Sequence, residues 1–220
     1  MLGLPRSTEF NKRIPKQTFY EHLAGTAALK RFFAEQVKSV YWRNKIAATT
    51  MNIAAGTAVT EIEVFEIHLN QSQIDENVLR QIDKVIPYHI LFMLKYEGKH
   101  RAVISYKEAA AAGSKAFAIM RYYYTDWLPL DEMPVKLEGL NIDAIYENFV
   151  RQVAADQLQS NDEDSIKHAI EKEEKRRRLK KQMAALQNKI RKEKQLNRQM
   201  QLNEELKKLE KEMESLRWER

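Results

Sequence analysis

Thr60-Glu61-Ile62-Glu63-Val64-Phe65-Glu66-Ile67-His68-Leu69 is the stretch that decides the fold. Rich in β-branched and aromatic residues, it reads as a strand, with Glu61 and Glu63 on one face and Glu66 and His68 on the other. Ser72 and Asp75 then open a helix whose Val78, Leu79, Ile82, Val85 and Ile86 form an apolar face, and Pro87 ends it. His89 to Tyr96 and Arg101 to Lys107 read as two strands of a hairpin turned at Glu97-Gly98-Lys99. Ala116 to Thr125 reads as a fourth strand. The hairpin makes part of the sheet antiparallel, which argues against a purely parallel, doubly wound sheet.

Working outward, Thr18-Phe19-Tyr20-Glu21 has the form of a capping box for a short helix that stops near Gly25. Thr26 caps a second helix with Leu29, Phe32, Phe33 and Val37 on one side. Alanines 109–112 and Gly113 read as a loop or a single helical turn between the third and fourth strands. Asn141 caps a last helix bearing Ile142, Ile145, Tyr146, Phe149, Val150 and Val153 at helical spacing. The expected fold is an α/β or α+β domain over residues 1–161, with a basic N-terminal arm and a mixed sheet of about four strands flanked by helices. A long, coiled-coil-like C-terminal helix over residues 162–220 should follow, with Gln159-Ser160-Asn161-Asp162 as linker or cap. Asp162, Glu163 and Asp164 would suit the positive end of its dipole.

No glycine follows Gly139 and no proline follows Pro134, so nothing of the usual kind breaks this tail. Its apolar residues keep coiled-coil spacing in two frames. Leu179, Met183, Leu186 and Ile190 form the first, and Leu202, Leu206, Leu209, Met213 and Leu216 the second. Extending the first frame brings Glu193, Asn197, Met200 and Glu204 onto the seam, so the two are out of register. A helix that bends midway or uses two faces fits better than one continuous stripe.

The formal net charge is +6, and its placement is uneven. Residues 1–161 carry a net of +1, and the tail carries the rest. Lys175, Arg176, Arg177, Arg178, Lys180, Lys181, Lys189, Arg191, Lys192, Lys194 and Arg198 face one acid, Glu193, in that stretch. Such a block suits an acidic partner, protein or nucleic acid. With no aromatics among it for base stacking, any nucleic-acid binding should be unspecific and salt-sensitive. Helix pairing falls to the two apolar frames.

With no cysteine, disulfides, thiolate metal sites and a cysteine nucleophile are excluded, as is usual for a cytoplasmic protein. Met1 to Lys16 reads as neither a secretory signal nor a span, and His89 to Leu94 is too short an apolar run to cross a membrane. There is no phosphate-cradling glycine loop and no nucleophile elbow. His22, His68, His89, His100 and His168 show no metal-ligand spacing, so no metal or cofactor is expected. A metal-dependent nuclease would need paired carboxylates and a lysine. Glu61, Glu63, Glu97 and Lys99 are the residue types for it, but Glu97-x-Lys99 falls in a turn, and alternating charge on a half-exposed strand explains Glu61 and Glu63 more simply. Tyr41-Trp42-Arg43-Asn44-Lys45 and Tyr122-Tyr123-Tyr124-Thr125-Asp126-Trp127 combine aromatics with polar heads, read first as core-edge packing and second as binding surface.

Several segments, taken in order, resemble an uncharacterised bacterial family, domain of unknown function number 4391. They are Leu4-Pro5 with Asn11-Lys12-Arg13-Ile14-Pro15-Lys16, Glu61-Ile62 with Val64-Phe65-Glu66-Ile67, and Ile86-Pro87 followed by Ile104-Ser105-Tyr106-Lys107. Tyr123 to Trp127, and Gly139-Leu140 leading to Ile145-Tyr146-Glu147-Asn148-Phe149, complete the series. Members of that family are found beside helicase and methyltransferase genes of restriction-like defence loci. The resemblance therefore implies a non-catalytic accessory or assembly subunit with a larger protein partner, such as a helicase or methyltransferase. It carries over no catalytic residues. The rival expectations are the nuclease and a nonspecific nucleic-acid-binding protein using the basic tail.

Overall fold

A computed structural model of the chain describes residues 2–22, 27–109, 117–158 and 166–218. The chain divides into two compact units, Met1–Gln157 and Leu158–Arg220. The first is a mixed α+β unit around one six-stranded sheet. Its strands are β1 (Glu9–Ile14), β2 (Val37–Ala47), β3 (Glu61–Leu69), β4 (His89–Tyr96), β5 (Lys99–Ala109) and β6 (Phe117–Tyr124), and their order in the sheet is their order in the chain. Every neighbouring pair is antiparallel except β3 and β4, which run parallel. The helices of this unit are α1 (Lys16–His22), α2 (Ala27–Gln36), α3 (Ala48–Met51), α4 (Glu76–Val85) and α5 (Ile142–Ala154).

Several local expectations are met atom by atom. Asp75 caps α4, its Oδ1 accepting from the Asn77 amide at 2.8 Å, and Asn141 caps α5, its Oδ1 accepting from the Ala144 amide at 2.8 Å. The β4–β5 hairpin turns on two residues, Glu97 (φ 45°) and Gly98 (φ 78°), the left-handed pair that matches strand twist. Lys99 already belongs to β5.

Strand β3 is nearly all buried because both faces of the sheet are covered. On one face Phe65, Ile67, Phe92 and Val103 join Leu29 and Phe33 of α2 and Val78, Leu79 and Ile82 of α4 in one cluster. Alternation sends Ile62, Val64, Leu91, Met93, Ile104 and Tyr123 to the other face, where α5 brings Ile145, Tyr146, Phe149 and Val150.

The sheet has six strands where about four were expected. β1 is an edge strand exposed on both faces, so Glu9–Ile14 shows no apolar alternation and read as a basic arm. β2 was hidden for another reason. Its pairing with β3 shifts register between Trp42 and Asn44, and that bulge breaks the period-two pattern. Val37, assigned to the face of a helix, is instead the first residue of β2. Thr18 lies inside α1, which opens at Lys16 after Pro15, and so does not begin it. The expected stop at Gly25, the cap at Thr26, the loop or helical turn through residues 110–113, the linker at 159–162 and the acids Glu163 and Asp164 lie outside the described residues.

The second unit corrects the expectation of one long helix. It holds two helices, α6 (Ile166–Lys192) and α7 (Leu196–Trp218), joined by three residues and packed on each other as an antiparallel hairpin. The chain turns without glycine or proline because side chains do the capping. Glu193 Oε1 accepts the amides of Lys194 (2.9 Å) and Gln195 (3.0 Å), and Gln199 Nε2 donates to the Ile190 carbonyl at 3.4 Å. The two out-of-register apolar frames thereby become the two arms, which agrees with the expected bend midway.

Candidate functional site

On α6, Leu179 is buried and Met183, Leu186 and Ile190 are half-buried; on α7, Leu202, Leu206, Leu209 and Met213 are half-buried and Leu216 is buried. At ~100° per residue these fall on one side of each helix, along the seam between the arms. The same rotation places Arg177, Lys181 and Lys192 opposite that seam on α6 and Arg178, Lys180, Lys189 and Arg191 on its flanks, with Lys194 in the turn. All eight are exposed, and none has a carboxylate partner among the described residues. Of the other three cations in the block, Lys175 pairs with Glu212 (3.3 Å), Arg176 with Glu173 (3.8 Å) and Arg198 with Glu193 (3.7 Å). The result is two basic clusters, Arg177 to Lys181 and Lys189 to Lys194, separated by the uncharged residues 182–188 and backed by a helix of mixed charge.

A second polar site lies on the sheet. Arg43 projects from the β2 bulge and donates through Nη2 to Glu66 Oε1 at 2.8 Å. His68 Nε2 reaches the same oxygen at 2.5 Å. Glu66 is 3% exposed; burial raises its pKa, but hydrogen bonds and charge from Arg43 and His68 overcome that and hold it below the usual carboxylate value. With Asn11, Lys95, His100 and Leu130, Arg43 and Glu66 line a cleft of about 290 Å³. None of these residues stood out in the sequence as one site. The signal was present only in register: Lys95 lies opposite His100 across β4 and β5, and His68 opposite Lys95 across β3 and β4.

The residues of the nuclease reading are divided. Glu61 and Glu63 stay together on β3, where Lys45 Nζ lies 2.8 Å from Glu61 Oε2 and Trp42 Nε1 donates to Glu63 Oε2 at 2.6 Å. Burial, opposed by Trp42 and helped by the neighbouring Glu61, pushes the Glu63 carboxyl up to about 7. Glu97 and Lys99 lie beyond the far end of β4, more than roughly 20 Å away at ~3.3 Å per strand residue. Among the described residues no group of three or more His, Cys, Asp or Glu is placed to hold a metal ion.

A third cluster ties helix to sheet. Asp83 of α4 receives Lys107 Nζ at 2.7 Å, Ser105 Oγ at 2.6 Å and the Tyr122 hydroxyl at 2.7 Å, with Asp83 and Lys107 fully shielded. Tyr146 of α5 donates to the Ser105 carbonyl at 2.7 Å and accepts the Lys107 amide at 3.1 Å. His89 stacks edge-on against Tyr146 at 4.3 Å, and burial followed by the Lys107 charge pushes its pKa down to about 3. Saturated in this way, the cluster fastens α4 and α5 to the sheet.

An α+β sheet unit joined to a basic helical hairpin is thus the class of protein at hand. The model of a family described as a domain of unknown function (DUF4391) matches residues 2–213, and the chain belongs to that family. Comparison with curated proteins and with solved structures returns no match. No helix among the described residues is long and apolar enough to cross a membrane.

Proposed function

We propose that the chain is a non-catalytic accessory subunit of a bacterial restriction-like or anti-phage assembly. In this reading the α/β-type unit docks a larger partner, and the hairpin presents α6 to an acidic surface. The observation that carries it is the set of eight exposed cations without carboxylate partners among the described residues, seven on the back and flanks of α6 and one in the turn. Charge held this way adds little to the hairpin itself and remains available to a partner. The genomic setting that the family resemblance implies, beside helicase and methyltransferase genes, supplies the candidate partners. Co-purification of the tagged chain with those neighbouring gene products tests the reading. A complex is expected with the full chain, and a weaker one when Arg177, Arg178, Lys180 and Lys181 are changed to Gln. No complex with either neighbour would end it.

The same cations support a second reading, sequence-independent nucleic-acid binding, in which they displace counterions from phosphates. Binding of arbitrary DNA that vanishes with rising salt, in the absence of any protein partner, would favour it.

A further inference from the structure

Two β-bulges converge on the cleft beside Glu66. Pairing of β1 with β2 shifts between Glu9 and Lys12, and Asn11 at that shift has φ 47°, a left-handed conformation that a non-glycine residue adopts at a cost. The bulge in β2 releases Arg43 from the alternation of its strand. The two meet, Arg43 Nη1 donating to Asn11 Oδ1 at 3.3 Å. Bulges of this kind re-aim side chains and gather at functional sites. The cleft also lies where the parallel pair β3 and β4 ends, at His68 and Lys95, the end of such strands where α/β folds place ligands.

The buried nitrogens there exceed what the protein satisfies. His100 is 5% exposed, and its Nδ1 is buried with no hydrogen-bond partner among the described residues. Its position is fixed by its backbone, which exchanges hydrogen bonds of 2.7 and 2.8 Å with Leu128. Arg43 Nε is likewise buried and unpartnered, though both terminal nitrogens of that guanidinium are engaged. Lys95, also lining the cleft, makes no ion pair among the described residues. Buried polar atoms without partners are rare and costly, and a cluster of them in one cleft calls for an acceptor from outside. Glu66 is the one carboxylate lining the cleft, and Arg43 and His68 already engage it.

We infer that this cleft binds a phosphate group, held by Arg43, Lys95 and His100. Three donors brought by β2, β4 and β5 from separate directions suit a tetrahedral oxyanion better than a planar carboxylate with two oxygens. Arg43, already oriented by Glu66 and Asn11, would supply Nε, and Lys95 would supply a mobile ammonium at the rim. The 290 Å³ cleft takes the phosphate and leaves most of an attached group outside, so a mononucleotide or the phosphorylated end of a nucleic acid is the source chemistry.

Calorimetric titration of the full chain with inorganic phosphate, against sodium chloride at matched ionic strength, tests this directly. Saturable binding is expected. Lys95→Ala should weaken it by about tenfold, the loss of one hydrogen bond to a charged group. His100→Gln should act likewise, with circular dichroism checking that this buried replacement still folds; Lys95, at the rim, carries the test if it does not. A mononucleotide, and a 5′-phosphorylated oligonucleotide beside its unphosphorylated twin, separate the two sources, and Lys95-dependent binding of either supports the site. Absence of saturable phosphate binding overturns the inference. So does binding that survives Lys95→Ala but is lost when Arg177, Arg178, Lys180 and Lys181 of α6 become Gln.

Discussion

Lys175 Nζ lies 3.3 Å from Glu212 Oε1, one ion pair spanning the two arms of the hairpin at matching distances from the turn. Both side chains are about half exposed, so the pair itself contributes less than about 1 kcal/mol. The apolar seam and the turn at Glu193 hold the arms together. Hydrogen bonds from the Gln195 and Lys194 amides keep the Glu193 carboxyl below its ordinary value of 4.5. Its stabilisation is therefore present above that value and lost as pH falls through the lowered one. Spin labels on Cys substituted at Gln182 and Glu205, in a chain with no native cysteine, should report a separation of ~20 Å or less at neutral pH, against ~35 Å for a straight helix. Glu193→Ala should broaden that distance towards longer values.

Glu63 makes the opposite pH prediction. Its carboxyl holds a proton to about pH 7 in the folded chain, whereas the unfolded chain releases it near 4.5. The folded state binds the extra proton between those values, so stability should fall as pH rises from 4.5 to about 7, by ~3 kcal/mol at most. Glu63→Gln keeps an acceptor for Trp42 and carries no charge. Urea denaturation of this variant should show a flatter profile across that window and greater stability than the parent at pH 8.

Asp83 and Lys107 test the anchoring of α4. Removing one partner leaves a buried charge uncompensated, so Asp83→Ala should cost about 3–5 kcal/mol. Ser105 and Tyr122 lose their acceptor in the same change. The double replacement Asp83→Leu with Lys107→Met should recover much of the loss, read as the midpoint of chemical denaturation.

If these eight cations meet nucleic acid, the dependence of log affinity on log salt should approach a slope of about −7 for eight phosphate contacts. Each replacement among Arg177, Arg178, Lys180 and Lys181 should make that slope shallower by about one. A slope that stays the same in all four variants would place the contact elsewhere.

Strong local chemistry was legible in the sequence. Asp75 and Asn141 announced their helices, and Glu97-Gly98 its turn, because a cap or a left-handed pair needs nothing beyond its neighbours. β1 and β2 were not legible: an edge strand lacks a buried face, and the Arg43 bulge erases alternation where it matters most. The hairpin turn was half legible. The change of frame near Asn197 marked a discontinuity, but a turn built by the Glu193 and Gln199 side chains leaves no glycine or proline behind. The cleft was the least visible. Asn11, Arg43, Glu66, Lys95 and His100 come from five strands, and only the register of the whole sheet brings them together.

That the strands stand in the sheet in the order they occur in the chain bears on how the molecule is made. Each strand after β1 leaves the ribosome with its neighbour already synthesised; the step from β1 to β2 spans α1 and α2, and the parallel step from β3 to β4 crosses over through α4. Low sequence separation between partners favours rapid closure. The growing sheet keeps one unfinished edge at a time, while the completed edge at β1 carries the exposed Lys12 and Arg13, which discourage another chain from pairing there. The first unit can thus assemble from its N-terminus as it is synthesised, before the basic hairpin exists to attract anything to it.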